Sequence, residues 1–201
     1  MARYIGPKTK IARRFNEPIF GENKYTHKKQ YKRAHKGNRK RFKKNDYISQ
    51  LFEKQKLRFI YGILERQCRK IFKRASSIKG NTGDIFIQLL ERRLDNVVYR
   101  LGISTSRSGA RQLVCHGHIK VNAQKVDIPS YFLKPGDIIE IAEKSKSHTA
   151  IKQALSSIKV PVLGWLSWNE EKMIGTFQHI PKRNHIPVNV NEQLIVEWYS
   201  K

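Results

Sequence analysis

An uneven distribution of positive charge is the feature that most limits what this chain can fold into. Residues 24–44 contain eleven Lys and Arg and no Asp or Glu, with Tyr25, Tyr31 and Phe42 placed between the basic residues. Too few apolar side chains are present to offset the entropy lost when such a segment becomes ordered. We expect residues 1–45, which include this segment, to be largely disordered in the free protein and to order on RNA, where phosphates and unstacked bases suit this composition. A solvated tail that binds nothing is the alternative.

The excess of positive charge extends over the whole chain. Its 201 residues include 41 Lys and Arg against 16 Asp and Glu, a formal net charge of +25. Residues 1–50 carry 16 basic and three acidic residues, so the field is strongest on the N-terminal side. Such a charge repels itself, and its usual partner is a polyanion whose counterions are released on binding. Charge alone leaves open a DNA-architectural protein, or a basic protein without a nucleic-acid partner.

The cysteine content and the apolar runs indicate an intracellular protein. Cys68 and Cys115 lie far apart and do not form the framework of a disulfide-rich fold. The N-terminus lacks the apolar stretch of a signal peptide, and no run approaches the roughly 18 apolar residues of a membrane span. We therefore expect a cytoplasmic protein with no membrane partner.

Apolar spacing and capping residues predict a helical first half. The predicted helices, with caps at Asp46, Asp84 and Ser106, cover 47–61, 63–77, 84–101 and 107–116. Shorter alternating segments then predict a hairpin over 119–126, a strand over 138–141 and a short helix over 148–158. Residues 161–187 are predicted to be irregular and strand-rich, and 194–198 fit either a strand or a short helix. The predicted class is α+β, with a basic helical N-terminal domain, an extended arm and a small mixed unit of helices and a β-hairpin.

Residues 92–126 hold the sharpest cluster of candidate functional residues. Arg93, Asn96 and Arg100 are spaced to share one face of a helix, and Arg107 and Arg111 share a face of the next. Free N–H groups at the start of that second helix favour a phosphate, which guanidinium groups can grip with two hydrogen bonds. Equally, these arginines can form surface ion pairs with Glu91 and Asp95, and charge alone does not separate the two interpretations.

Motifs for catalysis and metal binding are weak in this sequence. His116 and His118 flank Gly117, but with Cys115 they crowd one turn, so a helix that runs into a strand explains them better than a four-ligand zinc site. Gly80-Asn81-Thr82-Gly83 lacks the spacing of a phosphate loop, and no nucleophile has a placed base. The three Trp residues fit a core better than base stacking. We expect no enzyme.

Specific segments nevertheless resemble a known module. Arg93–Gly102, Ser106-Arg107, Ala110–Val114 and His116–Asn122 are similar to the RNA-binding domain named after small-subunit ribosomal protein four. That module also occurs in RNA-modifying enzymes, whose catalytic domain needs well over a hundred further residues, and we expect no such domain here. Further segments resemble the ribosomal protein family itself, and they are 1–8, 53–62, 64–67, 79–83, 175–177 and 191–201. The resemblance covers nearly the whole chain.

The resemblance implies a role in the ribosome. A member of this family is a structural constituent of the small subunit that binds a multi-helix junction in the 5′ domain of 16S rRNA and nucleates assembly there. It lies beside ribosomal proteins five and three near the site where messenger RNA enters, contacts that RNA and contributes to translational accuracy. Many members carry a four-cysteine zinc knuckle, but residues 20–45 contain no cysteine, so we expect no metal or other cofactor. Gly109 also departs from the better helix former usual there.

The expected organisation and contacts follow from the charge and the resemblance together. The expected units are a basic extended arm over 1–45, a helical rRNA-binding region over 46–91 with 175–201 packing back on it, the RNA-binding module over 92–153, and an irregular connection over 154–174. The expected RNA-binding residues are Arg3, Lys8, Lys10, Arg13, Arg14, Lys28, Lys29, Lys32, Arg33, Arg39, Lys40, Arg41, Lys43, Lys54, Arg58, Arg66, Arg69, Lys70, Arg93, Arg107, Arg111 and Lys120.

Overall fold

The chain forms two compact units in the computed structural model, which describes residues 4–15, 17–20, 46–157 and 163–200. The helical unit comprises residues 1–69 and 190–201, and the sheet unit comprises residues 70–189. Helices and an antiparallel sheet occur together, so the α+β class is confirmed. No described helix is long and apolar enough to cross a membrane.

The helical unit contains α1 (Lys8–Phe15), α2 (Asp46–Tyr61), the start of α3 (Glu65–Ser76) and α8 (Glu192–Ser200). Helix α8 packs against α2 and buries Ile195 completely, which decides the open choice between strand and helix for this segment. The side chain of Gln50 on α2 also donates to the Glu197 carboxylate on α8 at 2.9 Å. Apolar burial and these polar contacts fix the two helices against each other.

The expectation of a wholly extended arm over residues 1–45 is wrong for α1. Phe15 is 5% exposed, and its ring centroid lies 4.5 Å from that of Phe52 on α2. The Glu17 carboxylate accepts a hydrogen bond of 2.8 Å from Lys56. Ile11, Phe15 and Ile19 follow a helical spacing that can place an apolar face on α2 despite the surrounding charge. Residues 1–3, 16 and 21–45 of the expected arm lie outside the described residues.

In its described residues, the sheet unit contains the end of α3, four further helices and five strands. The helices are the end of α3, α4 (Thr82–Glu91), α5 (Leu94–Arg100), α6 (Arg107–Cys115) and α7 (Thr149–Ser157), with short 3₁₀ helices at Glu143–Ser145 and Arg183–His185. The strands are β1 (Ile119–Val121), β2 (Gln124–Lys125), β3 (Ile138–Ile141), β4 (Leu166–Asn169) and β5 (Ile174–Phe177). They form an antiparallel sheet in the order β2-β1-β3-β5-β4. The predictions of a helix before the first strand, a hairpin, a strand at 138–141 and a helix near 148–158 are confirmed.

The predicted continuous helix over 84–101 is interrupted at Arg93. This residue is extended, with φ −68° and ψ 137°, and serves as the N-cap of α5. The loop at 129–133 supplies the missing backbone partners, because Leu94 N–H donates to Tyr131 C=O at 2.9 Å and Leu133 N–H donates to Arg92 C=O at 2.9 Å. Asn81 rather than Asp84 caps α4, through its side chain and the N–H of Gly83. Contacts from a distant loop thus overrode a clear local helical pattern.

The predicted irregular connection over 154–174 is wrong at β4. Strand β5 pairs with both β3 and β4, so the β4–β5 hairpin extends the sheet by two strands. Leu166 and Phe177 are buried in that hairpin. A Cβ added at Gly175 would lie 2.6 Å from Leu101 Cδ1, so this glycine lets β5 approach the helix closely. The C-terminal segment 175–201, expected to pack as one piece on 46–91, therefore has its first residues in the sheet unit.

Strain in the β1–β2 turn gives a stability prediction. Asn122 and Ala123 both have positive φ, 49° and 63°, as expected for a two-residue turn of this kind. An L-residue with a Cβ is disfavoured there by roughly 1–2 kcal/mol, whereas glycine is not. We expect Ala123→Gly to raise the free energy of unfolding by about 0.5–1 kcal/mol, measured by urea denaturation. Ala142→Gly is the matched control, because φ is −57° at Ala142 and the substitution should destabilise the protein. Equal effects of the two substitutions would contradict this account.

Candidate nucleic-acid interface

A buried carboxylate organises the end of α4 and the whole of α5. Glu91 is 0% exposed and accepts hydrogen bonds from Asn96 Nδ2 at 2.6 Å and from Arg100 Nη2 at 2.8 Å. Arg100 Nε donates to the same carboxylate at 3.1 Å. A buried charge is tolerated only when it is paired and hydrogen-bonded, and both conditions hold here. Glu91 therefore fixes the orientation of α5 on α4.

A second carboxylate joins α5 to α6. Asp95 is 5% exposed and binds the Arg93 guanidinium at two points, Nε at 3.0 Å and Nη2 at 2.7 Å. Arg111 on α6 donates to the same carboxylate at 3.2 Å. The ion-pair interpretation of these arginines thus describes their contacts, but the pairs are buried rather than on the surface. Arg93 is only 2% exposed, so its expected role as a direct RNA contact is corrected to that of a structural ion pair.

Arg107 is held in place at the start of α6. Its Nε donates to Asn96 Oδ1 at 2.9 Å, and its guanidinium carbon lies 4.5 Å from the centre of the Tyr99 ring. The side chain remains half-exposed. Because Asn96 also donates to Glu91, the buried carboxylate indirectly sets the position of Arg107. A half-exposed, fixed guanidinium at the start of a helix can bind a phosphate oxygen, because the helix dipole favours an anion there.

The start of α6 depends on Gly109. Ser106 is the N-cap, and its Oγ accepts from the Gly109 N–H at 3.2 Å. A Cβ added at Gly109 would collide with Ser104 Oγ. Glycine therefore lets the turn that precedes α6 fold closely over the helix. This packing explains the departure from a better helix former, which sequence reasoning could only report as a cost.

Lys54 is a second expected RNA contact that the structure places in the interior. It is 5% exposed, its Nζ lies 3.1 Å from the Glu65 carboxylate, and the same atom lies 4.6 Å from the centre of the Trp198 ring. Tyr199 also donates to Glu65, at 3.0 Å. Burial raises the pKa of the neighbouring Cys68 thiol to about 11. Lys54 therefore stabilises the packing of α8 and is corrected from an RNA contact to a structural residue.

The remaining expected contacts fall into three groups. The exposed residues are Lys8, Lys10, Arg13, Arg14, Arg66, Arg69 and Lys70. The half-buried residues are Arg58, Arg107, Arg111 and Lys120. The residues outside the described parts of the chain are Arg3, Lys28, Lys29, Lys32, Arg33, Arg39, Lys40, Arg41 and Lys43. The residues of the first group are accessible to a polyanion because they are exposed. Those of the second group are partly accessible.

Helix α3 carries more exposed basic residues than the sequence analysis selected. Lys73 and Arg74 are exposed and extend the row of Arg66, Arg69 and Lys70 at helical spacing. The residues buried from this helix are Cys68, Ile71, Phe72 and Ala75. The basic and apolar residues thus separate onto different faces, a pattern that could have added Lys73 and Arg74 to the expected contacts.

Three histidines line a cavity of about 250 Å³ at the start of α6. The ring centroids of His116 and His118 are 6.0 Å apart, and those of His118 and His148 are 5.4 Å apart. Burial, followed by the two neighbouring rings, lowers the pKa of His118 below its usual value. Within the described ranges, no cluster of three or more His, Cys, Asp or Glu is arranged to hold a metal ion.

Comparison with known proteins agrees with this arrangement along the whole chain. The family described as ribosomal protein S4/S9 N-terminal domain matches residues 3–91, and the family described as S4 domain matches residues 92–139. Small ribosomal subunit protein uS4 of Christiangramia forsetii is 54% identical over 202 residues, with 100% of both chains covered. The proteins of the same name from Parabacteroides distasonis and Amoebophilus asiaticus are 52% and 54% identical over 201 residues, again with complete coverage. The chain therefore belongs to the small ribosomal subunit protein uS4 family, whose members are ribosomal RNA-binding proteins and not enzymes.

Proposed function

We propose that this chain is a primary rRNA-binding protein that nucleates assembly of the 5′ domain of 16S rRNA in the small subunit. The proposed binding site on the RNA is a multi-helix junction. Proteins five and three are the proposed neighbours, close to the site where messenger RNA enters, and this location would let the chain contribute to translational accuracy. The proposed location of the assembled protein is the cytoplasmic ribosome. These assignments rest on the family resemblance together with the charge of +25.

The fixed position of Arg107 carries the proposal that α6 is an RNA contact. Asn96 and Tyr99 hold the guanidinium beside the N-terminus of α6, so little conformational entropy is lost when a phosphate binds. Two features, the charge of the guanidinium and the helix dipole at the start of α6, then favour the same phosphate.

Substitution of Arg107 by Gln tests this contact. A hydrogen bond to a charged group contributes on the order of 1.5–3 kcal/mol, so we expect Arg107→Gln to weaken binding to a transcribed 5′-domain RNA by about tenfold or more. The affinity is measured by filter binding at fixed salt, and the free energy of unfolding by urea denaturation. Lys172→Gln is the control, because Lys172 is exposed and its substitution by Gln removes one positive charge, as Arg107→Gln does.

Arg111 is a poor choice for the same test. Helical spacing alone suggests that Arg107 and Arg111 both lie on an exposed face of α6, so that Arg107→Glu with Arg111→Glu would weaken binding without unfolding. That view is wrong for Arg111, which pairs with the buried Asp95, and Arg111→Glu would set two carboxylates against each other. Destabilisation would then obscure any effect on RNA binding.

The outcomes of the RNA assays separate the proposals. If Arg107→Gln and Lys172→Gln bind equally well, Arg107 is not an RNA contact. If the native chain binds the 5′-domain RNA no better than an unrelated folded RNA of equal length, nucleation at that domain is excluded. Competition with duplex DNA addresses the DNA-architectural alternative, because a chain that prefers duplex DNA would contradict the proposal.

A further inference from the structure

Two guanidinium groups on the sheet unit contact the same loop, and the sequence analysis selected neither of them. Arg74, near the end of α3, has its guanidinium carbon 4.7 Å from the centre of the Phe132 ring. Arg92, after α4, donates from Nε to the C=O of Leu133 at 2.9 Å. The loop therefore holds both arginines: the ring of Phe132 contacts Arg74, and the backbone C=O of Leu133 accepts a hydrogen bond from Arg92.

The positive charges of these two arginines repel each other. Burial lowers the pKa of Arg92, and the positive charge of Arg74 is the next cause, while Asp137 opposes it. In the described parts of the chain, neither guanidinium forms a salt bridge with a carboxylate. This differs from Arg93, Arg100 and Arg111, each of which has a buried carboxylate as its partner. A pair of like charges that Asp137 offsets only in part raises the free energy of the isolated protein, and an anionic ligand would relieve it.

The two arginines are also placed before any ligand arrives. Stacking on an aromatic ring and a hydrogen bond to a backbone C=O both reduce the freedom of a long side chain. Arg74 is nevertheless exposed, and Arg92 is half-exposed, so each retains guanidinium N–H groups that can reach solvent. Fixed guanidinium groups match the oxygens of a phosphodiester, which accept two parallel hydrogen bonds.

We propose that Arg74 and Arg92, held by residues 132–133, bind the phosphodiester backbone of RNA as a contact additional to Arg107. The proposal rests on the proposed rRNA-binding function and assigns two residues to it that neither the charge pattern nor the family resemblance selected. A strand of RNA that reaches this loop would place one or two successive phosphates against the pair.

The salt dependence of RNA binding tests this site directly. Each lost phosphate contact lowers the magnitude of the slope of log K against log salt by about 0.7–1. We expect Arg74→Gln with Arg92→Gln to lower that slope by about 1.4–2 with the 5′-domain RNA, and to weaken binding by about tenfold or more at physiological salt. Lys144→Gln with Lys172→Gln is the matched control, since both lysines are exposed on the same unit and the same charge is removed. We expect its slope to stay close to that of the native chain.

Two single substitutions keep the test valid if the double variant is unstable. Arg74 is exposed, so Arg74→Gln alone should fold normally and lower the slope by about 0.7–1. Phe132→Leu removes the stacking partner of Arg74 but keeps both charges, and we expect it to weaken binding by two- to threefold with little change in slope.

The outcomes distinguish failure of this site from failure of the proposed function. Equal slopes for the Arg74→Gln variant, the double variant and the lysine control would overturn the site while the native chain still binds rRNA. A native chain whose RNA binding does not depend on salt would overturn both. Inorganic phosphate alone provides the third arm. If it shifts the NMR signals of the Arg74 and Arg92 side chains and the RNA does not, RNA is excluded as the ligand of this site.

Discussion

Replacing the eleven Lys and Arg of residues 24–44 by Gln is expected to weaken binding to the 5′-domain RNA by about a thousandfold or more at physiological salt. The physical reason is the release of counterions from each neutralised phosphate, which contributes about 0.7–0.9 to the slope of log K against log salt. If half of these residues contact phosphates, the slope should fall by about 4. Filter binding over a series of salt concentrations measures both quantities.

The substitution keeps the length of the segment for a structural reason. Deletion of residues 1–45 would also remove α1, whose Phe15 packs on Phe52 of the helical unit, and would confuse loss of RNA contacts with loss of stability. The same 21 residues in reversed order provide the control, because charge and composition are unchanged. We expect this control to keep most of the salt dependence. A loss of less than tenfold for the Gln variant would show that the segment is a solvated tail, and slow amide exchange across 24–44 in the free protein would contradict folding on RNA.

Of the substitutions considered for their effect on stability, removal of the Glu91 carboxylate is expected to lower the free energy of unfolding most. Glu91→Ala leaves the Arg100 guanidinium, whose side chain is 11% exposed, without its buried partner, and it also removes the acceptor for Asn96. Breaking a buried ion pair in this way costs about 3–5 kcal/mol. We expect that decrease in the free energy of unfolding of the sheet unit, and a weaker hold on Arg107 through Asn96.

Tryptophan fluorescence can report on the sheet unit alone. Trp165 and Trp168 belong to it, whereas Trp198 belongs to the helical unit, so urea denaturation is followed in a Trp198→Phe background. Glu143→Ala is the matched control, because its carboxylate is 77% exposed and its pair with Lys146 should contribute less than about 1 kcal/mol. If Glu91→Ala and Glu143→Ala lower the stability by similar amounts, the buried carboxylate does not organise α4 and α5 as described.

Local sequence signals predicted those elements whose partners lie nearby in the chain. The N-cap at Ser106, the hairpin turn at Asn122-Ala123 and the helix over 149–157 all depend on contacts within a few residues. The break at Arg93 depends instead on backbone groups at residues 129–133, so no pattern around Arg93 could have revealed it. Strands were expected within 161–187, but the position of β4 and its pairing with β5 could not be predicted, because among the described residues its burial depends on the complete sheet.

The candidate interface also combines features that the sequence determines with features that only the fold decides. By itself the sequence determined the positive charge, the α+β class and the family resemblance, because composition and motifs are properties of the chain before it folds. Only the tertiary structure decided which basic residues form ion pairs with carboxylates of the protein itself. Lys54 and Arg93 are buried against carboxylates, whereas Arg74 and Arg92 share a loop in which the described residues provide no salt-bridge partner. The pairing of a charge depends on which distant side chains reach it, and the fold alone sets that distance.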